Sequence, residues 1–188
     1  NIETVTGGDS AASTNFTLAG DVDFSITGAN DGTAGTLAFI DFANLTGGAS
    51  DNTFTFNGGT LGGNIDGAGG TGDSIDIAAV GGANSVDIDA GTVSGVLTGT
   101  FSNIEALVGD DTADTLVGDV DFSITAGNDG TAGAFAFTDF FNLTGGASDN
   151  TFTFGAAGTL GGNIDGAGGT GDSIDIAAVA GANPVDID

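Results

Sequence analysis

The sequence contains no residue type that carries positive charge. Its 188 residues include no Lys, Arg or His against 26 Asp and Glu, which gives a formal net charge of −26. Nucleic acid is excluded as a partner because phosphate contacts require cationic side chains, and an anionic membrane surface is excluded on the same ground. Charge of this size opposes a compact state, so any counterions must come from solvent.

Several other residue types are also missing. The chain has no Cys, Met, Trp or Tyr, so disulfides and conventional zinc sites are excluded. No apolar run is long enough to cross a bilayer as a helix, and we expect no membrane insertion. Paired carboxylates are the only common catalytic groups left, and no pair differs from the repeated background. We therefore predict that the protein is not an enzyme.

The apolar content argues against a disordered acidic tail. Hydrophobic residues make up 39% of the chain, including 14 Phe. Solvated acidic segments have few aromatic and branched residues, because they have no core to bury. The sequence therefore predicts a folded chain whose carboxylates are screened by bound ions.

A long internal repeat organises the chain. Residues 21–56 return at 119–154 with six differences, and residues 60–89 return at 159–188 with two. These matches predict one continuous domain over residues 1–188, with a repeat of about 98–100 residues in which 21–89 recurs at 119–188 and 90–118 intervenes.

The start of the chain repeats a segment from its middle. Asn1-Ile2-Glu3 recurs as Asn103-Ile104-Glu105, so residues 1–20 are taken as equivalent to 103–118. If the second copy continued as the first does, another Asn-Ile-Glu would follow it. Our hypothesis is that the chain is part of a longer tandem array, or that its copies self-associate into fibres.

Short alternating runs between glycine-rich turns predict β-strands. Examples are Phe54 and Phe56, Ile75 and Ile77, Val86 and Ile88, and the set Val22, Phe24 and Ile26. Each alternates with Thr, Ser or Asp, which is the period-two pattern of a half-buried strand. The fold class predicted is all-β: a right-handed parallel β-solenoid (a β-helix or β-roll) with about 20 residues per rung.

Acidic turns precede several of these strands. Calcium prefers six to eight hard oxygen ligands, and Asp, Asn and backbone carbonyls supply them without nitrogen or sulfur donors. We predict multiple Ca²⁺ ions, although Asp and Asn at such positions also shape turns through their own hydrogen bonds. The candidate ligands are Asp51, Asn52, Asp73, Asp76, Asp110, Asp111, Asp114, Asp149, Asn150, Asp172 and Asp175.

These turns resemble a known calcium-binding motif. The stretches Gly47 to Phe54, Gly109 to Leu116 and Gly69 to Ile75 are similar to the repeats-in-toxin nonapeptide G-G-x-G-x-D-x-U-x, with Asn52 where the motif has Asp. The resemblance implies a calcium-bound parallel β-roll exported by type I secretion. Phe42-Ala43-Asn44-Leu45 and Phe101-Ser102-Asn103-Ile104 further resemble the repetitive β-strand adhesins of bacteria.

The combined expectation is a secreted structural protein. It would form or extend a calcium-stabilised filament, adhesin stalk, biofilm matrix or surface layer outside a bacterial cell, with cell-surface or matrix polysaccharide as a further partner. The alternative is a β-solenoid module that binds ice or carbohydrate, because Thr53-Phe54-Thr55 and Thr151-Phe152-Thr153 fit a Thr-x-Thr pattern.

Overall fold

The computed structural model of the chain describes residues 2–8 and 16–180, where it contains 21 β-strands. The all-β prediction is confirmed. Across these two ranges no helix is present that is long and apolar enough to cross a membrane. The last residues of the second repeat copy, 181–188, lie outside the described residues.

The strands are short, mostly two to four residues. Their bounds are β1 Thr4–Thr6, β2 Thr17–Ala19, β3 Phe24–Gly28, β4 Asp31–Ala34, β5 Leu37–Ile40, β6 Asn44–Thr46, β7 Thr53–Phe56, β8 Ile65–Asp66, β9 Ser74–Asp76, β10 Ser85–Asp87, β11 Thr92–Val93, β12 Phe101–Ser102, β13 Ala106–Val108, β14 Thr115–Val117, β15 Phe122–Ala126, β16 Asp129–Ala132, β17 Phe135–Thr138, β18 Asn142–Thr144, β19 Thr151–Phe154, β20 Ile164–Asp165 and β21 Ser173–Asp175.

The strands form three sheets. The largest has twelve strands in the order β1-β5-β4-β3-β7-β9-β13-β17-β16-β15-β19-β21, and we call it the long sheet. The second sheet runs β11-β10-β14-β18-β20, and the third runs β12-β8-β6-β2. Most neighbours are parallel, as predicted, because the chain alternates between sheets and returns to each in the same direction.

The spacing between parallel partners is less regular than predicted. Thr53 pairs with Ser74, 21 positions later, and Leu45 pairs with Ile65, 20 positions later. Other steps are longer: Thr17 pairs with Asn44 and Ile65 with Phe101, separations of 27 and 36 residues. A uniform rung of about 20 residues therefore describes only part of the chain.

Antiparallel meanders account for some of the longer steps. β3, β4 and β5 form one three-stranded meander in the long sheet, and β15, β16 and β17 form its copy. The first turn of each has a left-handed Asn, Asn30 at φ 62° and Asn128 at φ 57°. Gly32 is required because a Cβ there would lie 2.0 Å from the backbone oxygen of Ser25. The prediction of uniformly parallel strands missed both meanders.

Inward side chains of the long sheet stack in register. Phe24 is opposite Phe54, and their rings stack with centroids 5.1 Å apart and an interplanar angle of 2°. Phe122 and Phe152 repeat the contact at 4.9 Å. The predicted inward residues of β3, β7, β9 and β10 are buried, but Val22 precedes β3 and is 38% exposed.

Candidate metal-binding turns

Asp73 is a fully buried carboxylate. It directly precedes β9, and its side chain has 0% exposure. Its Oδ1 accepts the backbone N–H of Asn52 at 2.6 Å, and its own N–H donates to Glu105 Oε2 at 3.0 Å. Its Oδ2 is buried and has no hydrogen-bond partner. A buried oxygen in this state costs about 1–3 kcal/mol, and more when the group is charged.

Asp51 approaches the same point from the preceding turn. Its Oδ1 accepts the N–H groups of Thr71 at 2.8 Å and Gly72 at 3.0 Å. A Cβ built on Gly70 would lie 2.6 Å from Asp73 Oδ2 and 2.9 Å from Asp51 Oδ1. Both carboxylates therefore lie against Gly70, close enough that a side chain at this position would clash with each of them. We call Asp51, Gly70 and Asp73 together the Gly70 site.

The second repeat copy contains the same arrangement. Asp149 Oδ1 accepts the N–H groups of Thr170 and Gly171 at 2.7 and 2.9 Å. A Cβ on Gly169 would lie 2.8 Å from Asp172 Oδ1, 2.9 Å from Asp149 Oδ1 and 2.9 Å from the Ser148 carbonyl oxygen. We call this the Gly169 site. Unlike Asp73, Asp172 is exposed.

The two candidate asparagines hold the turns together. Asn52 Oδ1 accepts the N–H of Gly48 at 2.6 Å, and Asn150 Oδ1 accepts that of Gly146 at 2.7 Å. Their amide nitrogens donate to Asp21 at 3.4 Å and to Asp119 at 3.3 Å. These contacts match the turn-shaping role that was the alternative for each residue.

Asp21 and Asp119 were not among the predicted site residues. Each accepts the backbone N–H and the hydroxyl of a serine in the next turn, Ser50 or Ser148. In both cases the backbone hydrogen bond is the largest cause that lowers the pKa of the carboxyl below 3.8. Their recurrence in both copies did not distinguish them from other repeated Asp residues.

A third acidic turn contains Asp110 and Asp114. Asp114 has 0% exposure; its Oδ1 accepts the N–H and Nδ2 of Asn84 at 2.9 and 3.0 Å, while its Oδ2 is buried without a partner. Burial raises its pKa above 3.8. Burial acts the same way on Asp110, but hydrogen bonds from Thr112, Ala113 and Asp114 outweigh it and lower that pKa.

Asp111 belongs to a different group of carboxylates. It is left-handed at φ 58°, and its Oδ1 accepts the side-chain amide of Asn128 in the second meander. Burial first, and then the charges of Asp129 and Asp111, raise the pKa of Asp139. Sequence reasoning missed Asp129 and Asp139 because the meander that brings them near Asp111 was not predicted.

Asp76 and Asp175 make equivalent local contacts. The Oδ1 of each accepts the N–H two residues ahead, that of Ala78 or Ala177, at 2.9 Å. This is the side-chain geometry of an Asx turn at the end of a strand. These two candidates therefore shape the exits of β9 and β21, and neither is a neighbour of Gly70 or Gly169.

Over residues 2–8 and 16–180, no group of three or more Asp or Glu lies close enough to hold a metal ion through side chains alone. No family model, no curated protein and no solved structure matches this chain. A cation at the Gly70 or Gly169 site would therefore need backbone carbonyls and water in addition to two carboxylates. Calcium accepts both kinds of oxygen.

The outward face of the long sheet has mixed chemistry. One outward row follows the strand register through Thr4, Ala38, Thr33, Ser25, Thr55, Asp76 and Val108. The row contains hydroxyl groups, but Ala, Asp and Val interrupt it. The Thr-x-Thr pattern of β7 and β19 is therefore not repeated on every strand of this face.

Proposed function

We propose that this chain is a bacterial extracellular structural protein, a right-handed parallel β-solenoid that extends a calcium-stabilised filament, adhesin stalk or surface matrix. One observation carries the proposal: Asp73 and Asp114 are fully buried, and each has a carboxylate oxygen without a partner. The sequence has no Lys, Arg or His to neutralise either carboxylate.

The energetics favour an external cation at these turns. Holding an unpaired charge inside a protein costs several kcal/mol, which is a large share of the stability of an ordinary domain. A calcium ion held by Asp51 and Asp73 would neutralise the pair, and the unpartnered Asp73 Oδ2 would become one of its ligands. The three atoms nearest to a Cβ at Gly70 are all carboxylate oxygens, which suit calcium better than a soft metal.

Repetition supports a structural role over a catalytic one. The Gly70 and Gly169 sites are built from equivalent residues in the two copies, as expected where each added unit extends a stack. Stacked repeats gain stability from neighbouring units, so length is achieved by adding copies. The lack of Lys and Arg also leaves no cleavage site for trypsin-like proteases, which suits a protein exposed outside the cell.

The proposal is tested by measuring β-structure and melting temperature by circular dichroism in calcium, in magnesium and in EDTA at low ionic strength. We expect calcium to raise the melting temperature and EDTA to lower it. Gly70→Ala places a methyl group 2.6 Å from Asp73 Oδ2 and 2.9 Å from Asp51 Oδ1, which forces the two carboxylates to move, so this variant should lose most of the calcium-dependent gain.

Gly81→Ala is the matched control. A Cβ at Gly81 meets nothing within 4 Å, so this variant should respond to calcium as the wild type does. The proposal is contradicted if exhaustive removal of divalent ions leaves both the β signal and the melting temperature unchanged. Equal calcium responses of the two glycine variants would reject the Gly70 site specifically.

A further inference from the structure

We propose that copies of this chain join head to tail through the long sheet. The β1 strand of one copy adds in parallel to the β21 strand of the next, with Thr4 opposite Ser173, Val5 opposite Ile174 and Thr6 opposite Asp175. This inference rests on the proposed structural role and specifies the partner, a second copy of the chain, and its register.

The chain contains an internal example of this joint. β13 pairs in parallel with β9, with Ala106 opposite Ser74, Leu107 opposite Ile75 and Val108 opposite Asp76. The strand β21 has the same Ser-Ile-Asp sequence as β9 at the equivalent repeat position. The strand β1 follows Asn-Ile-Glu, as β13 does. The joint between copies therefore repeats the joint within a copy.

The position of β1 in the sheet agrees with this equivalence. β1 pairs with β5 through Thr4–Ala38, Val5–Phe39 and Thr6–Ile40, and β13 pairs with β17 through the corresponding residues of the second meander. The opposite edge of β13 is covered by β9, whereas β1 and β21 are the two terminal strands of the long sheet. Open parallel edges are templates for further strands.

Apolar residues at the two ends are exposed where their internal counterparts are buried. Ile2 is 76% exposed, while its counterpart Ile104 is 5% exposed. Ile174 is 58% exposed, while its counterpart Ile75 is 1% exposed. Joining β1 to β21 would place both end isoleucines in the surroundings that bury their counterparts, which gives the joint a hydrophobic driving force.

The polar contacts of the internal joint can also form between copies. Within the chain, the N–H groups of Glu105 and Ala106 donate to the Asp73 carbonyl oxygen at 2.9 and 3.0 Å, and the Asp73 N–H donates to Glu105. The counterparts Glu3, Thr4 and Asp172 carry the same groups. The open ends are therefore complementary to each other but not to themselves.

Joining different surfaces of identical chains has a defined consequence. A head-to-tail contact leaves one open β1 strand and one open β21 strand on every linear assembly, so growth continues unless the assembly closes into a ring. The joint adds strands in the same direction in which the strands of the long sheet follow one another within a copy. We therefore expect linear filaments whose length increases with protein concentration.

Sedimentation velocity on the chain in calcium tests the proposal, with Ile174→Asp and Ile2→Asp as end variants and Val22→Asp as a control. Val22 is also an exposed apolar residue, but it lies beside Gly35 of the first meander and belongs to neither β1 nor β21. We expect the wild type and Val22→Asp to associate with increasing concentration. Each end variant should raise the dissociation constant about 10-fold or more.

Cysteine pairs test the register, because the chain has no cysteine of its own. Adjacent strands lie about 4.8 Å apart, within the Cα separation that a disulfide bridges. Thr4→Cys with Ser173→Cys should give a ladder of covalent oligomers on oxidation. Thr6→Cys with Ser173→Cys is two residues out of register and should not, while Ser74→Cys with Ala106→Cys should form the internal bridge.

The outcomes separate this proposal from the calcium proposal. A wild type that is folded in calcium but monomeric at every concentration overturns the joint and leaves calcium binding untouched. Association that survives both end variants also overturns it, because the contact is then lateral. Loss of β-structure in EDTA, followed by circular dichroism in the same samples, bears only on the role of calcium.

Discussion

The two repeat copies have nearly the same sequence, yet equivalent residues differ sharply in burial. Asp73, Ile65 and Ile75 are all buried in the first copy. Their counterparts Asp172 and Ile174 are exposed, and Ile164 is half-buried. The first copy is followed in space by β12 and β13, whereas β21 is the terminal strand of the long sheet. For these residues the degree of burial therefore depends on the next strand in the sheet, because the local sequence is the same in both copies.

This difference in burial separates what the local turn contributes to the structure from what the neighbouring strand contributes. The local hydrogen bonds are the same in both copies: Asp51 and Asp149 each accept two N–H groups from the following turn. The turns therefore form without the covering strand. What the covering strand adds is the desolvation of Asp73 and Ile75, and paired substitutions in the two copies measure that addition.

The largest contrast is expected for the isoleucines of β9 and β21. Ile75→Ala removes a side chain that is 1% exposed and should lower the free energy of unfolding by about 2 to 5 kcal/mol. Ile174→Ala, at 58% exposure, should change it by no more than about 0.5 kcal/mol in monomeric protein. Urea denaturation of both variants at low concentration gives the comparison. Equal losses would show that β21 is covered in solution.

A smaller contrast is expected for the carboxylates. In EDTA, Asp73→Asn should raise the free energy of unfolding by about 1 to 3 kcal/mol, because it removes a buried charge and keeps an acceptor for Asn52. In calcium the sign should reverse, since a ligand is lost. Asp172→Asn should change stability little in EDTA, because this carboxylate is exposed, and in calcium it should lower stability through the loss of a ligand at the Gly169 site.

The same urea titrations, repeated with and without calcium, measure both carboxylate variants. Both variants keep Gly70 and Gly169. Any change in stability therefore comes from the carboxylate and not from the neighbouring glycine. A stabilisation of Asp73→Asn that is equal in EDTA and in calcium would argue that no ion is held by this carboxylate.

Much of the fold could be predicted because strand side chains alternate. Phe54 and Phe56, and likewise Ile75 and Ile77, point inward as the period-two pattern indicates. The meanders were missed because the sequence around Asn30-Asp31-Gly32 consists of small turn-forming residues. Those residues become strands only because β3 and β5 pair with β4 on both sides, which is a tertiary effect.

The candidate site could be predicted only as a set of acidic turns. Composition and position identified Asp51, Asp73 and Asp114. The sequence could not show that Asp51 and Asp73 meet at Gly70, because their meeting depends on the pairing of β7 with β9. Asn84 likewise reaches Asp114 from 30 residues away, through the pairing of β10 with β14.

Acid titration in EDTA compares two carboxylates of one turn. The pKa of Asp114 is raised, so the folded state binds a proton before the unfolded chain does, and this group adds stability as the pH falls towards 3.8. The pKa of Asp110 is lowered, so its contribution is present above 3.8 and lost as the pH falls further. Asp114→Asn should remove the gain in stability that accompanies falling pH, and Asp110→Asn should remove the loss of stability below pH 3.8.

Urea denaturation at a series of pH values measures both effects. Asp114→Leu removes both the charge and the acceptor of the hydrogen bonds that Asn84 donates, whereas Asp114→Asn removes the charge and keeps an acceptor. The difference in stability between the two variants therefore measures the hydrogen bonds. If Asp114→Asn leaves the slope of stability against pH unchanged above 3.8, burial of this carboxylate is not the cause of the expected gain.

The smallest effect concerns one of the two differences between residues 60–89 and 159–188. Gly81 in the first copy corresponds to Ala180 in the second, and a Cβ at Gly81 would meet nothing within 4 Å. Gly81 also has no positive φ, so alanine fits its backbone. Gly81→Ala should therefore stabilise the chain by about 0.4 to 1 kcal/mol, by restricting the unfolded state. Thermal denaturation checks this, with Gly82→Ala as the comparison variant. Gly82 has φ 98°, so alanine there should destabilise the chain. A loss of stability in both variants would mean that the turn needs glycine at position 81 for more than its backbone angle.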